Sequence, residues 1–327
     1  MRFMMQDSIM VKGLPCTAGS RMLENFKAPF SAMVYEKCLA AGLAFEGHVL
    51  GDELGIARLF DHGGEEKTDS AVTALLENRC DAVLCNDVFG KLRAQAANHG
   101  LVYIHPAYGT VSRYGLVASV SSMDQIGALC RSVEDAAVML SMISGHDARD
   151  GTNLPDASTP PSCGKVINSV EFSKSVAPVF YILAAAEICN NATRYDGVKF
   201  GYHAEAEGLE EVYVRSRSEG MGRDLQLASL VGCMTLSQAH YDGLYDKAMR
   251  IRRLIQNYCN DLLEEQKFSS ISTISTDANK YEEISQYAVP LLCGLAAISL
   301  PVEDGQIVCR RGSENAMFAR AKELMNQ

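Results

Sequence analysis

The chain has 327 residues, 47% hydrophobic and 21% charged, a balance that suits a folded protein with a sizeable core. Its net charge of −10 excludes a mainly phosphate-driven nucleic-acid binder. No apolar run reaches the roughly 18 residues a membrane-spanning helix needs, so no membrane insertion is expected.

The N-terminal stretch MRFMMQDSIMVKG has neither the apolar core of a signal peptide nor the pattern of a transit peptide. Residues 1–12 read as a strand closed by a Lys-Gly-Leu-Pro turn. After Pro29, the spacing of Met33, Val34, Cys38 and Leu39 predicts one apolar helix face, stopped by Gly42. AFEGHVLG reads as a short strand, residues 69–80 as a helix, DAVLC (81–85) as a buried strand and GLVYIHP (100–106) as another. RSVEDAAVMLSMISG (131–145) carries the clearest helix signal: Ser132 and Asp135 form a capping pair, apolar residues recur at helical spacing, and Gly145 ends it.

Residues 150–164 are turn-rich and read as a linker or surface loop. VAPVFYILAAAEICNNATR is apolar nearly all round, which predicts a buried helix. Residues 236–267 form a long amphipathic helix with Tyr245, Ala248, Ile251, Ile255 and Tyr258 along one side. Residues 267–280 are a Ser/Thr-rich breaker, GLAAISLP and QIVCRR close as strands, and a short helix ends the chain. Strands alternating with helices predict an α/β architecture.

Eleven cysteines are scattered singly, with no CxxC pair. Cys80 and Cys85 with His99 and His105 downstream come nearest to a cluster, yet not at zinc-ligand spacing, so no metal and no cofactor is expected. Most of the thiols read as buried groups in a reducing compartment. Lys247, Arg250 and Arg253 recur at helical spacing as a basic stripe. It reads first as a solvated face and second as a peripheral RNA contact.

Long phrases carry a resemblance. SRYGL, SSMDQIG and RSVEDAA within residues 108–153, RYDGV within 182–202, and VPLLCGLAAISLP (289–301) resemble the amidase signature family. Within it they are similar to the A subunits of tRNA-dependent amidotransferases. The resemblance implies one α/β domain, a mixed sheet flanked by helices. It also implies a Ser–cis-Ser–Lys centre, in which a lysine deprotonates a bridging serine that activates the nucleophilic serine.

At each matched position the expected residue is absent. Gln6 stands for the lysine, and an amide takes up no proton near neutral pH. In HGGEEKTDSA (62–71), Glu65 and Glu66 replace the serine pair. NDVFGKLR (86–93) matches the nucleophile motif through Asp87, Gly90 and Arg93, with Lys91 in the serine's place and bulky Phe89 at the oxyanion turn. Among residues implied to hold glutamine, Tyr195 is retained. An expected arginine falls at Leu227 or Ala228, and an expected aspartate at about Ser285.

Relative to the family, the chain is expected to lack a helical segment before Met1, the loop before HGGEE and a block after DGTN. Residues 1–150 then hold the altered centre, 151–175 replace the deleted block, and 176–327 form a mostly helical half. Lost sheet neighbours would expose edges that obligate protein partners cover. These readings lead to the expectation of a catalytically inactive pseudo-amidase, a structural subunit of a larger organellar, mitochondrial assembly. The alternative is an A subunit of a tRNA-dependent amidotransferase, moving the glutamine amide to Glu-tRNA(Gln) with partner-dependent activity.

Overall fold

The computed structural model describes residues 1–56, 59–60, 67–155, 173–264, 268–271, 280–302 and 305–326. The elements run β1 (Arg2–Gln6), α1 (Met33–Ala40), β2 (Ala44–Val49), α2 (Ser70–Leu76), β3 (Ala82–Asn86), α3 (Lys91–Asn98) and β4 (Val102–His105). There follow β5 (Ile126–Cys130), α4 (Val133–Ile143), α5 (Ser173–Ala192), α6 (Leu209–Gly220), α7 (Arg223–Leu236) and α8 (Lys247–Glu264). β6 (Phe268–Ile271), α9 (Lys280–Cys293), β7 (Ala296–Ser299), β8 (Gln306–Cys309) and α10 (Glu314–Met325) complete the chain.

Among the described residues, eight strands form one mixed sheet in the order β2-β1-β3-β5-β4-β7-β8-β6. β1 runs parallel to both β2 and β3, and the other pairings are antiparallel. The central strands β1, β3, β4, β5 and β7 are buried almost throughout because helices cover both of their faces, whereas edge strand β2 is largely exposed or half-buried. The period-2 geometry shows in where each side chain goes. Phe3, Met5, Leu84, Val102, Ile104 and Ala128 point to a core shared with α1, α4 and α10. Met4, Val83, Tyr103 and Leu129 point the opposite way, to α2 and α3. On that second face, Ala297 and Val308 of β7 and β8 meet a separate core built by α5, α7, α8 and α9. The architecture is thus the expected mixed sheet between helices.

Several expectations change in detail. The first strand covers only Arg2–Gln6. Leu39 lies 43% exposed, off the buried face that Met33, Val34 and Cys38 share. The helix expected from 236 begins with a π-turn over Asp242–Asp246, and α8 follows it. Phe268–Ile271, inside the expected breaker, pairs with β8 as a strand, because β8 offers it a full antiparallel edge. β5 is an unpredicted strand. Gly127 lets it lie against β4, where an ideal Cβ would come 2.3 Å from the Ile104 carbonyl oxygen. In α4 the expected cap is present: the Ser132 hydroxyl oxygen accepts from the Asp135 N–H at 3.0 Å.

Of the ten described cysteines, eight are buried, Cys233 is exposed and Cys293 is half-buried. Among the described residues, no group of three or more His, Cys, Asp or Glu side chains is placed to hold a metal, and no helix is long and apolar enough to cross a membrane.

Candidate functional site

The candidate site forms where β1 and β3 end side by side. Because both are parallel and buried, their C-terminal ends deliver Gln6 and Asn86 to the same edge. Gln6 is 7% exposed, and its Oε1 accepts from the Asn86 N–H at 2.9 Å. Asn86 Nδ2 in turn donates to Asp124 Oδ1 at 2.8 Å, and Asp124 also accepts from the Ser119 and Val120 N–H groups. Burial raises the Asp124 carboxyl above its ordinary value despite these donors.

After β3 the chain turns through Asp87–Gly90 into α3. Asp87 caps that helix from outside it, accepting from the Leu92 and Arg93 N–H groups at 3.1 Å each. Arg93 is fully buried. Its Nε donates to Asp87 Oδ2 at 3.0 Å, Nη2 to the Asp87 carbonyl at 3.0 Å and Nη1 to the Tyr287 carbonyl at 2.8 Å. Phe89 is buried edge-on against Phe180 of α5, with centroids 5.3 Å apart. The bulky residue at the turn is therefore a core anchor.

Gly90, the residue that caps the start of α3, has φ +74°, and an ideal Cβ there would sit 2.5 Å from the Tyr287 ring. Both the backbone and the space demand glycine. Gly90→Ala is expected to cost about 2–4 kcal/mol, from left-handed strain plus displacement of the ring. A urea midpoint equal to that of the unchanged protein would refute this.

Lys91 is the first residue of α3, where a cation faces the positive end of the helix. Two carboxylates offset that. Lys91 Nζ lies 2.6 Å from Asp52 Oδ2 and 3.1 Å from Asp69 Oδ2. Burial alone would lower the Lys91 ammonium, but the hydrogen bond to Asp52 and the charges of Asp69 and Asp52 outweigh it and hold the group above its ordinary value. Asp69 is itself raised by burial, against the Ala71 N–H and Lys91, which lower it. The cluster is therefore a fixed cation between two carboxylates, one of them buried.

Gln6, Asp7, Gly51, Asp52, Asn86 and Val117 are among the residues lining a cavity of about 20 Å³ here. That is room for about one water molecule. Beside it the Thr17 hydroxyl donates to Asp7 Oδ2, a hydroxyl–carboxylate pair of the kind general-base chemistry uses.

The structure thus brings Gln6 and Lys91 to the same segment, Gly51–Asp52. Glu65, the third position of the expected centre, lies outside the described residues. Tyr195 is buried in the α5-side core against Phe200, and burial pushes its hydroxyl up to about 12. It is not among the residues lining the cavity. Ala228 and Ser285 are both buried. Lys247, Arg250 and Arg253 do share an exposed side of α8, with Arg250 paired to Asp246 at 2.7 Å.

Asp52 and Asp69 are the site residues that sequence reading missed. Asp69 carries a local signal, since it precedes a helix and its side chain caps it at the Ala71 N–H. Nothing local announces that it meets Lys91.

The sheet and the β3–α3 turn define an amidase-class fold, and residues 71–167 match the Amidase family. A crystal structure of the glutamyl-tRNA(Gln) amidotransferase A subunit from Thermotoga maritima superposes with a TM-score of 0.69 at 24% identity, covering 99% of this chain and 82% of that one. The native peptide amidase from Stenotrophomonas maltophilia gives 0.74 at 17% identity, covering 98% and 81%. Among curated proteins, the glutamyl-tRNA(Gln) amidotransferase A subunit of Wolinella succinogenes is 32% identical over 363 aligned residues, covering 91% of this chain and 81% of its own. That of Campylobacter curvus is 31% identical over 393, covering 98% and 87%. Both alignments are longer than the chain, so the relatives hold segments that this chain lacks. The chain belongs to the amidase signature family, among relatives that are glutamyl-tRNA(Gln) amidotransferase A subunits.

These comparisons correct the expectation of a catalytically inactive structural subunit of an organellar assembly. The relatives are subunits of an enzyme and the fold's neighbours include amidases, which favours the alternative reading, an amidotransferase A subunit. As A subunits, those relatives are parts of multi-subunit enzymes, which supports protein partners for this chain.

Proposed function

We propose that this chain serves as the A subunit of a tRNA-dependent amidotransferase, handling the glutamine amide that is passed to Glu-tRNA(Gln), with activity that depends on partner subunits. The observation that carries the reading is identity above 30% with such A subunits over nearly the whole chain. Partner dependence is supported by the site itself. A cavity of about 20 Å³ is too small for a glutamine side chain, so the Gln6–Asp52 region must open for substrate to enter. Binding of a partner to the open form would supply that shift. The edge strands of the described sheet, β2 and β6, are the places where a partner could extend it. The exposed Lys247, Arg250 and Arg253 stripe offers the tRNA a small phosphate contact on a chain that is otherwise acidic.

The matched positions hold Gln6 and Lys91, so the amide step would draw on groups present here, with the Thr17–Asp7 pair beside the cavity. The test is reconstitution with B and C subunits of such an enzyme, followed by glutamine-dependent amidation of Glu-tRNA(Gln). Amidation by the complex and little glutamine hydrolysis by the chain alone are expected. A complex that assembles yet amidates nothing, while its Gln6→Lys, Lys91→Ser counterpart does, would refute the reading.

A further inference from the structure

Helices α5 and α7 approach unusually closely at Gly232. An ideal Cβ there would lie 2.3 Å from the Ala185 carbonyl oxygen and 2.4 Å from Cys189 Cβ. The next residue, Cys233, consequently places its Sγ 3.4 Å from Cys189 Sγ. Cys233 is exposed and Cys189 is buried, so an oxidant in solution reaches one sulfur and finds the second already in contact. A disulfide needs about 2.05 Å between sulfurs, and the remaining approach is within reach of χ1 adjustment between two helices already this close.

The fold connects this pair to the candidate site. The N–H of Gly222, the residue that opens α7, donates to both carboxylate oxygens of Glu53, at 3.1 and 3.0 Å. Glu53 also accepts from Ser20 Oγ at 2.6 Å, and it follows Asp52, which holds Lys91. Anything that fixes α7 against α5 therefore steadies the segment that carries Asp52.

We propose that Cys189 and Cys233 form a reversible redox clasp, closed by hydrogen peroxide or a similar two-electron oxidant, that locks α7 onto α5 and thereby the Asp52–Glu53 segment. The Cys233 thiolate attacks one peroxide oxygen. An S–O bond forms, the O–O bond breaks, and the second oxygen leaves as water after taking up a proton. Cys189, giving up its proton, then attacks the sulfenic sulfur, so that an S–S bond forms and the S–O bond breaks with loss of a second water. Two thiols and one peroxide become one disulfide and two waters. Burial raises the Cys189 thiol to about 11, so the exposed Cys233 reacts first and Cys189 resolves it. The clasp holds whatever reaction the Lys91 site performs.

The test treats the full chain with dilute hydrogen peroxide, blocks remaining thiols, and maps peptides. A Cys189–Cys233 linked peptide is expected, two hydrogens lighter than the separate thiols and reversed by dithiothreitol. The two residues are 44 apart in sequence, so closing that loop is expected to raise Tm by roughly 5 °C. Amide exchange of the α7 backbone should slow at the same time. Cys233→Ser, a change at an exposed position, should abolish both effects while its reduced Tm stays at the parent value. Three results would overturn the proposal: oxidation of Cys233 to a sulfinic acid or mixed disulfide without Cys189, linkage instead of Cys259 to Cys293, whose thiols also hydrogen-bond each other, or a Cys189–Cys233 bond that leaves Tm and α7 exchange unchanged.

Discussion

Replacing Arg93 by alanine is expected to remove about 4 kcal/mol of stability, the largest single loss expected for this chain. The guanidinium has no exposed surface and ties α3 to two other parts of the fold through three acceptors: the Asp87 carboxylate and carbonyl, and the Tyr287 carbonyl of α9. Truncation strands the Asp87 carboxylate in a buried place and opens a cavity between α3 and α9. Breaking such a pair costs more than the pair's net worth, because the partner charge stays behind without water. Arg93→Lys should recover little, since an ammonium cannot reach both carbonyls and the carboxylate with one planar fork. The double change Arg93→Met, Asp87→Asn should recover part, by removing the stranded charge, but not all. Asp87 also accepts the Leu92 and Arg93 N–H groups, and an amide caps them less strongly than a carboxylate. Differential scanning calorimetry should show Arg93→Ala melting roughly 5–10 °C lower. A shift under about 2 °C would mean the buried pair matters little to the fold.

Lys91→Met is expected to cost about 2–3 kcal/mol at pH 7.5, and markedly less near pH 4. The size follows from unequal partners. Asp52 is a third exposed and regains water when the ammonium goes, whereas Asp69, 5% exposed, cannot. The pH dependence follows from the direction of the Asp69 shift. Its carboxyl is already raised by burial above the ordinary 3.8, and Lys91 is among the influences holding it down. Removing Lys91 raises it further. A carboxyl with a raised folded value binds its proton more tightly folded than unfolded, so its cost is absent at low pH and grows as pH rises through the folded value. Lys91 itself stays charged across this window, because its own value is raised above 10.5. Urea unfolding at several pH values reads the gap between the two proteins. A gap of constant size from pH 4 to 8 would show that packing, and not charge, sets the loss.

The sequence by itself settled the architecture and the family, because both rest on long stretches. Strand runs such as DAVLC and GLVYIHP are apolar without alternation and short, as strands of a sheet covered on both faces are. The Ser132 cap, the apolar α5 and the phrases shared with the amidase family are likewise local features that survive unaltered in the structure. β5 escaped because five residues containing a glycine carry no usable period, and its strand identity depends on β3 and β4 lying on either side. β6 escaped because an edge of β8 outweighed a Ser/Thr-rich composition.

Residue identity at the site was legible too. Gln6 and Lys91 could be read as departures, and the structure does bring them to one segment. What those departures mean could not be read, and the expectation of an inactive scaffold rested on the residues lost. Asp52 and Asp69 lie 39 and 22 residues from Lys91 in sequence, and no local pattern marks them as its partners. Asp69 meets Lys91 because α2 and α3 pack on the same face of the sheet, and Asp52 joins them from the turn that follows β2. The same is true of Cys189 and Cys233, two of eleven scattered thiols until Gly232 lets α7 close on α5. Periodicity and propensity act over a few residues and are written in the chain. Charge pairing and thiol contact act across a few ångströms of space, and only the tertiary fold decides which residues share them.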